Sequence, residues 1–435
     1  MIAQILFLVI LGAGVFLFTK KVREVIRNIN LGRDVKINDR PSERWAVMAK
    51  VAMGQSKMGA RPVAAFFHVL IYVGFIIINI EVLEIIIDGL FGTHRVLSFM
   101  GGFYDFLIGS FEILALGVLA ACVVFLARRN VLRIKRFTMR EMTSWPRTDA
   151  NLILITEIFL MTAFLLMNAA DSILQTRGAE HYITAGSFPV SAMFIPILSG
   201  MSTDALILLE RGCWWFHIVG ILAFLNYVPY SKHFHILLAF PNTWYSKLTP
   251  KGQLTNMESV MNEVKLMMDP SAVPPPADPN AAPQRFGAKD VKDLTWKQLM
   301  DAYSCTECGR CTSSCPANLT GKILSPRKIM MDTRDRLEEV GKNINQHGAD
   351  HDDGKSLLND YISPEELWAC TSCNACVEAC PVLIDPLSII VDMRRYMVME
   401  QSAAPTELNG MFSKIENNGA PWQFSPADRM NWTEN

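Results

Sequence analysis

Five stretches of this chain, 2–19, 62–87, 103–127, 151–174 and 211–230, are strongly apolar and near or above the ~20 residues a helix needs to cross a bilayer. In hydrocarbon every backbone N–H and C=O must find its partner within the chain, so such a run is committed to helix. The 435 residues are half hydrophobic, with charged residues concentrated outside these runs. The first run, Ile2 to Thr19, is followed by Lys20 and Lys21. A cleaved signal peptide carries its positive charge before the apolar stretch and a small-residue cleavage site after it. The reversed order predicts a retained anchor with its N-terminus outside.

Charge in the connecting segments sets the topology. Between the first two runs stand eleven Lys/Arg against four Asp/Glu, and 128–147 carries seven basic residues against Glu141 alone. The segments 88–102 and 175–210 are poor in basic residues. Basic loops stay on the cytoplasmic side. Five spans with the N-terminus outside then leave everything after Tyr230 in the cytoplasm, at an inner (cytoplasmic) membrane. A net charge of −1 gives no footprint for nucleic acid.

The cytoplasmic part contains one cysteine pattern twice. Cys305, Cys308, Cys311, Cys315 and Pro316 repeat as Cys370, Cys373, Cys376, Cys380 and Pro381. Both copies read C-x2-C-x2-C-x3-C-P, a run in which three cysteines hold one [4Fe–4S] cluster and the fourth ligates the other. The pattern assigns Cys305, Cys308, Cys311 and Cys380 to cluster 1, and Cys370, Cys373, Cys376 and Cys315 to cluster 2. Structural zinc takes four ligands in two pairs and would leave the third cysteine of each run idle. Disulfides need an oxidising compartment, which the topology excludes. The remaining Cys122 and Cys213 read as packing residues. Two complete copies predict a carrier of electrons.

The order along the chain is a membrane domain over 1–240, a Pro-rich linker over 241–286, a two-cluster domain over 287–400 and a tail over 401–435 that contacts a partner. Pro270 to Pro283 reads as an extended spacer. Helices are expected from Asp293 to Tyr303, Pro326 to Val340 and Pro386 to Met399, with a loop over 343–356. The fold class is all-α: a five-helix bundle followed by a small α-helical dicluster ferredoxin-like domain in which clusters replace much of the apolar core.

Of eight histidines, His68, His217 and His235 fall within or at the ends of spans. An ionisable residue in a membrane segment is a functional hypothesis by default, against a hydrogen-bonded interior histidine for any one alone. His68 and His235 are expected at the same, cytoplasmic depth. His217 lies eighteen residues before His235, about 27 Å of helix rise, so those two cannot share one iron. A haem b between His68 and His235 fits, since neutral imidazoles suit such an iron.

Residues 1–240 resemble the five-helix cytochrome b subunit of respiratory nitrate reductase, in Phe67-His68, in Phe216-His217 and in the eighteen-residue interval to His235. The stretch from Tyr227 through Pro229 and Lys232 to His235 resembles fused haem and iron–sulfur proteins of the heterodisulfide reductase type. Residues 287–435 are similar to those iron–sulfur subunits and to the small subunit of anaerobic glycerol-3-phosphate dehydrogenase, across both cysteine runs and the lead-in from Thr295 to Cys305. Two departures stand out. Ile78 occupies the position where the nitrate reductase pattern has its second histidine, which leaves His217 as the residue for a second haem without its partner; His94 and His181 lie in loops. The chain also has no further cysteine between Cys380 and Asn435, where the relatives continue from Trp422 and Trp432 into CCG domains. The resemblance implies that those domains belong to a separate cytoplasmic iron–sulfur protein or flavoprotein.

The function expected is a quinone-linked oxidoreductase subunit, resembling proteins that join electron-transfer flavoprotein to (mena)quinone. Three other readings keep the same parts. They are a subunit of a heterodisulfide reductase-like or sulfur-cycle complex, the membrane anchor of a soluble dehydrogenase, and a cluster-bearing interaction scaffold whose haem site is vestigial. Carboxylates within the spans, Glu81, Glu84, Glu112 and Glu157, need an explanation. For Glu81 and Glu84 the expectation is pairing with a basic side chain or a partner subunit. Glu157 is the candidate proton acceptor for a quinone headgroup expected beside the inner haem, near His68, His235 and Lys232.

Overall fold

A computed structural model describes residues 1–269, 271 and 285–434. The predicted spacer from Pro270 to Pro283 lies, Ser271 apart, outside the described residues. Among the described residues there is no β-strand, only the isolated bridges Arg33 to Thr295 and Leu358 to Ile362.

Five helices are long and apolar enough to cross a membrane: α1 (Ile2–Ile29), α2 (Pro62–Phe91), α3 (Gly102–Asn130), α4 (Trp145–Thr176) and α5 (Thr203–Tyr227). Each packs on its sequence neighbour, and α1 closes the ring against α5. The bundle interior is built from Phe7, Ile78, Ile108, Phe111, Phe164 and Ile218. α1 to α4 outrun their predicted spans, and α5 starts before its own, because the polar ends continue the helix beyond the hydrocarbon. Pro62 opens α2 at a position where its missing N–H costs nothing.

α5 ends at Tyr227, short of the predicted 230. Pro229 cannot continue an α-helix, and two 3₁₀ turns, Val228–Tyr230 and Lys232–Phe234, follow it. The chain then restarts as α6 (His235–Trp244), which runs through the expected domain boundary at 240 and packs on the cluster domain. The interval from His217 to His235 is therefore not one continuous helix, and the 27 Å expected from helix rise does not apply.

The cluster domain holds α7 (Trp296–Ser304), α8 (Arg310–Ser314), α9 (Pro326–His347), α10 (Ala375–Ala379) and α11 (Pro386–Met399). Thr295 and Gln298 form a capping box at the start of α7, which fixes the lead-in to Cys305. α9 runs seven residues past the predicted Val340, so the polar loop begins only at Gly348. The expectation that clusters replace much of the core is corrected here. Leu294, Leu299, Leu324, Ile329, Leu357, Ile389 and Ile390 form an extensive apolar core, and Val25, Ile29, Val228 and Phe234 from the membrane bundle belong to it. Bundle and cluster domain share one interior.

Polar contacts reinforce that junction. Lys21 pairs with Glu338 at 3.1 Å, Asn28 donates to the Tyr303 hydroxyl at 3.0 Å, and the Arg33 N–H donates to Leu294 O at 2.7 Å. Arg327 is fully buried and donates to Glu141 of the α3–α4 segment at 2.7 Å. Removing one partner of a buried pair strands the other charge and costs roughly 3–5 kcal/mol. Glu141→Gln is expected to lower stability by about 3 kcal/mol in detergent denaturation, and a loss below ~1 kcal/mol would mark the pair as an ordinary surface contact.

Candidate metal centres

Each cysteine run folds into the same local shape. Glu307 and Gly309 flank Cys308 with φ of 53° and 70°, and Ser372 and Asn374 flank Cys373 with φ of 54° and 61°. These left-handed residues curl the chain around its first three cysteines and then launch the short helices α8 and α10. Gly309 has a second reason to lack a side chain, since a Cβ there would stand 2.4 Å from Arg327 Nη1. α8 and α10 pack on each other, which brings the two runs into mutual contact.

The consequence is that the fourth cysteine of each run lies toward the other run. Cys380 lines one cavity with Cys305, Cys308 and Cys311, closed by Arg327, Met330 and Pro381. Cys315 stands in the electrostatic neighbourhood of Cys370 and Cys376 instead. No three His, Cys, Asp or Glu side chains among the described residues converge closely enough to share a single metal ion. The cysteines ring a space, which suits a four-iron cube with a ligand at each corner. Backbone N–H groups already point at the sulfurs: Ile384 donates to Cys380 at 3.3 Å and Ser372 to Cys370 at 3.4 Å. Burial pushes the Cys305, Cys376 and Cys380 thiols up to about 12. Iron must displace those protons, so cluster assembly weakens as pH falls.

Seen from the bundle, the first cysteine loop faces the segment carrying His235. Glu307, between Cys305 and Cys308, is buried and ion-pairs with Lys232, three residues before His235. Arg334 binds its other oxygen at 2.9 Å. Burial alone would raise the Glu307 carboxyl, but Arg334 and Lys232 together hold it below the ordinary carboxylate range. The Lys232 backbone carbonyl in turn lies 3.0 Å from His235 Nδ1. That contact assigns the ring proton to Nδ1 and leaves Nε2 as the free lone pair.

His68 and His235 are brought together across the bundle, with ring centroids 6.5 Å apart and planes tilted by 39°. Two imidazoles bound through nitrogen at roughly 2 Å on opposite sides of one metal have centroids roughly 6 Å apart. His68 Nδ1 is buried without a partner. The pair fits axial ligation of a haem iron. His217 is not brought to them; it is buried, its Nδ1 lies 3.1 Å from Leu160 O, and it packs on Phe164. His94 and His181 have ring centroids 5.7 Å apart, and His94 Nε2 lies 3.3 Å from Asp171. Glu157 stands near Cys122.

The other intramembrane carboxylates are bound at the end of the bundle away from the cysteines. Glu84 accepts from Tyr104 and from the Leu97 N–H, each at 2.9 Å. Glu112 accepts from the Val190 and Ser191 N–H groups and from Asn168. The hub is Arg95, which donates to Asp171 at 2.6 Å, Asn168 at 2.9 Å and Tyr104 at 3.1 Å. Neither Glu81 nor Glu84 shows the expected direct pairing with a basic side chain: Glu84 reaches Arg95 only through the Tyr104 hydroxyl, and Glu81 keeps one buried oxygen unpartnered. Sequence reasoning passed over Arg95. The usable signal was an arginine beside Asp88 in a loop otherwise poor in basic residues.

Five bilayer-length helices and two interlocked cysteine runs define an iron–sulfur redox protein of membrane type. A family model for the 4Fe-4S dicluster domain matches residues 304–384. Over 99% of its length the chain is 28% identical to the probable iron-sulfur-binding oxidoreductase FadF of Bacillus subtilis, covering 60% of that protein. Over 92% of its length it is 26% identical to the EtfAB:quinone oxidoreductase of Syntrophomonas wolfei, covering 55% of it. Over 119 residues, 27% of this chain, it is 35% identical to one polypeptide of the ferredoxin/F(420)H(2)-dependent CoB-CoM heterodisulfide reductase of Methanosarcina acetivorans, covering 60% of that polypeptide. The chain thus spans less than two thirds of the length of each of these relatives. No solved structure matches it.

If the fourth cysteines cross over, Cys380→Ser damages the cluster of Cys305, Cys308 and Cys311, and Cys315→Ser the other. Electron paramagnetic resonance of each variant, with iron measured against about eight atoms per chain for two four-iron cubes, is expected to show this exchange. Damage confined to the substituted run would reverse the ligand assignment.

Proposed function

We propose that this chain is the membrane subunit of a quinone-linked oxidoreductase, carrying electrons between a (mena)quinone in the bilayer and a cytoplasmic redox partner. The observation that carries the reading is the adjacency of two metal-binding arrangements. The 3₁₀ turn that leads into His235 and the Cys305–Cys308 loop are tied by the buried Lys232–Glu307 pair. A b-type haem bound between His68 and His235 and two [4Fe–4S] clusters would each supply one-electron redox chemistry. The chain's own residues do the rest. His235 is held in one tautomer by Lys232 O, and Cys380 and Cys315 lock the two cysteine runs together. Burial keeps water from Cys305 and Cys380, while Cys308 and Cys311 are half-buried.

In this reading the Lys/Arg-rich side of the bundle, with the clusters, faces the cytoplasm. The quinone headgroup sits on that same side, with Glu157 as its proton acceptor. Cys373 is solvent-exposed, which offers cluster 2 to a partner. The tail beyond Met399 exposes Trp422, Phe424, Met430 and Trp432, an apolar set suited to a partner's surface. The similarity to an EtfAB:quinone oxidoreductase favours a flavoprotein as that partner, and the similarity to a heterodisulfide reductase polypeptide favours a CCG-domain iron–sulfur protein. His217 is left for a second haem, with Ile78 where a second ligand would stand.

His68→Ala and His235→Ala are each expected to abolish one and the same low-spin b-type absorbance signal, whereas His217→Ala leaves it in place. A chain that binds no haem, or a signal that survives loss of His235, would overturn the haem assignment. Identification of the cytoplasmic chain that co-purifies from membranes separates the quinone-linked reading from a sulfur-cycle complex or a dehydrogenase anchor.

A further inference from the structure

Between the cytoplasmic ends of the bundle and the first cysteine loop lie guanidinium groups with idle N–H donors. Arg136 is buried at 7% exposure, yet its Nε and Nη1 have no acceptor, and Arg129 Nε is likewise buried and unpartnered. The two guanidinium groups flank one ring, at 4.6 Å and 4.7 Å from the Phe137 centroid. The strongest charged influences on Arg136 are Arg61, Arg310 and Arg128, opposed by the Cys308 sulfur. Burial first, and then Arg61, hold Arg136 down to about 10. A buried guanidinium with idle N–H groups among other cations costs too much to persist without an anion.

Two anions are close enough to consider. The cluster 1 cavity has its own arginine, since Arg327 lines it and Arg136 does not. The second direction is toward the histidine pair. Arg61 stands at the start of α2, seven residues before His68, or about 10 Å of helix rise. Arg310, whose own N–H groups reach Lys57 O at 3.0 Å, lies within electrostatic reach of His68. Arg129 borders the other ligand instead, with Asp149 and Glu307, the partners of Lys232, among its charged neighbours. Arg136 thus shares the neighbour Arg310 with His68, and Arg129 shares Asp149 and Glu307 with Lys232, which precedes His235.

We propose that Arg136 and Arg129 form a dicarboxylate site that binds the two propionates of a haem held between His68 and His235. This rests on the haem reading above and adds the groups that orient the macrocycle. Paired N–H donors match a carboxylate in a plane, so the site fixes rotation about the iron–histidine axis as well as affinity. It also places the propionate edge toward the Cys305–Cys308 loop.

The test uses the full chain purified from haem-starved cells and titrated with haem b or with its dimethyl ester, which lacks both carboxylates. The wild type is expected to prefer the diacid by about tenfold or more, the scale of a charge-assisted hydrogen bond. Arg136→Gln is expected to shrink that preference toward unity and to shift the haem midpoint potential, with iron–sulfur content unchanged. Arg136→Lys should restore part of it. An undiminished preference in Arg136→Gln would overturn the proposal while leaving the histidine assignment standing. A wild type that takes up neither compound would overturn the haem reading itself. Phospholipid phosphorus that co-purifies with the wild type, is lost in Arg136→Gln and leaves the diacid preference untouched would reassign the site to a lipid headgroup, and the proposal would fall.

Discussion

The architecture depends on the buried contact between Lys232 and Glu307. Lys232 opens the second of the two 3₁₀ turns that follow α5, and Glu307 sits inside the first cysteine loop. Taking both charges out of water costs several kcal/mol per ion, and the remaining partners, Arg334, Asp149 and Pro146 O, are what make the arrangement sustainable. Such a pair contributes little net stability compared with apolar packing. What it does supply is register, because only one placement of the cysteine loop against the bundle satisfies it. The shared apolar core of Val25, Ile29, Phe234, Leu299 and Ile329 provides the bulk of the attachment.

The two ends of the bundle use their polar residues differently. Away from the cysteines, Arg95 gathers Asp171, Asn168 and Tyr104, and the carboxylates of Glu84 and Glu112 are saturated with donors. That end balances most of its buried charge within the network, with Glu81 Oε2, His94 Nδ1 and Asp171 Oδ1 left without hydrogen-bond partners. At the end near the cysteines, His68, Arg136 and Arg129 keep idle nitrogen atoms. Buried polar groups are normally hydrogen-bonded, so these idle donors are where the proposed haem would complete the structure.

Much of this was legible in the sequence, for reasons that differ by element. The five spans were readable because lipid leaves a long apolar run only one conformation, and the cysteine runs because their spacing repeats in full. Pro386–Met399 agreed to the residue, since Pro marks its start and its apolar spacing carries it through. The pairing of His68 with His235 followed from depth alone. What the sequence hid was contact between distant segments. Arg327 with Glu141, Arg95 with Asp171 and Lys232 with Glu307 join residues whose sequence separation carries no signal. The apolar core of the cluster domain was underestimated for a related reason: Val25 and Ile29 belong to it, and they were counted with the membrane.

The central claim is that the histidine pair and the cysteine runs serve one electron path to quinone. It is tested most directly by chemically reducing the purified full chain and mixing it anaerobically with a soluble menaquinone analogue. Haem absorbance and cluster paramagnetism would be followed together in the wild type and in His235→Ala. The account predicts rapid reoxidation of both haem and clusters in the wild type, and clusters that stay reduced when His235 is lost. Clusters that reoxidise equally fast without the haem ligand would contradict it.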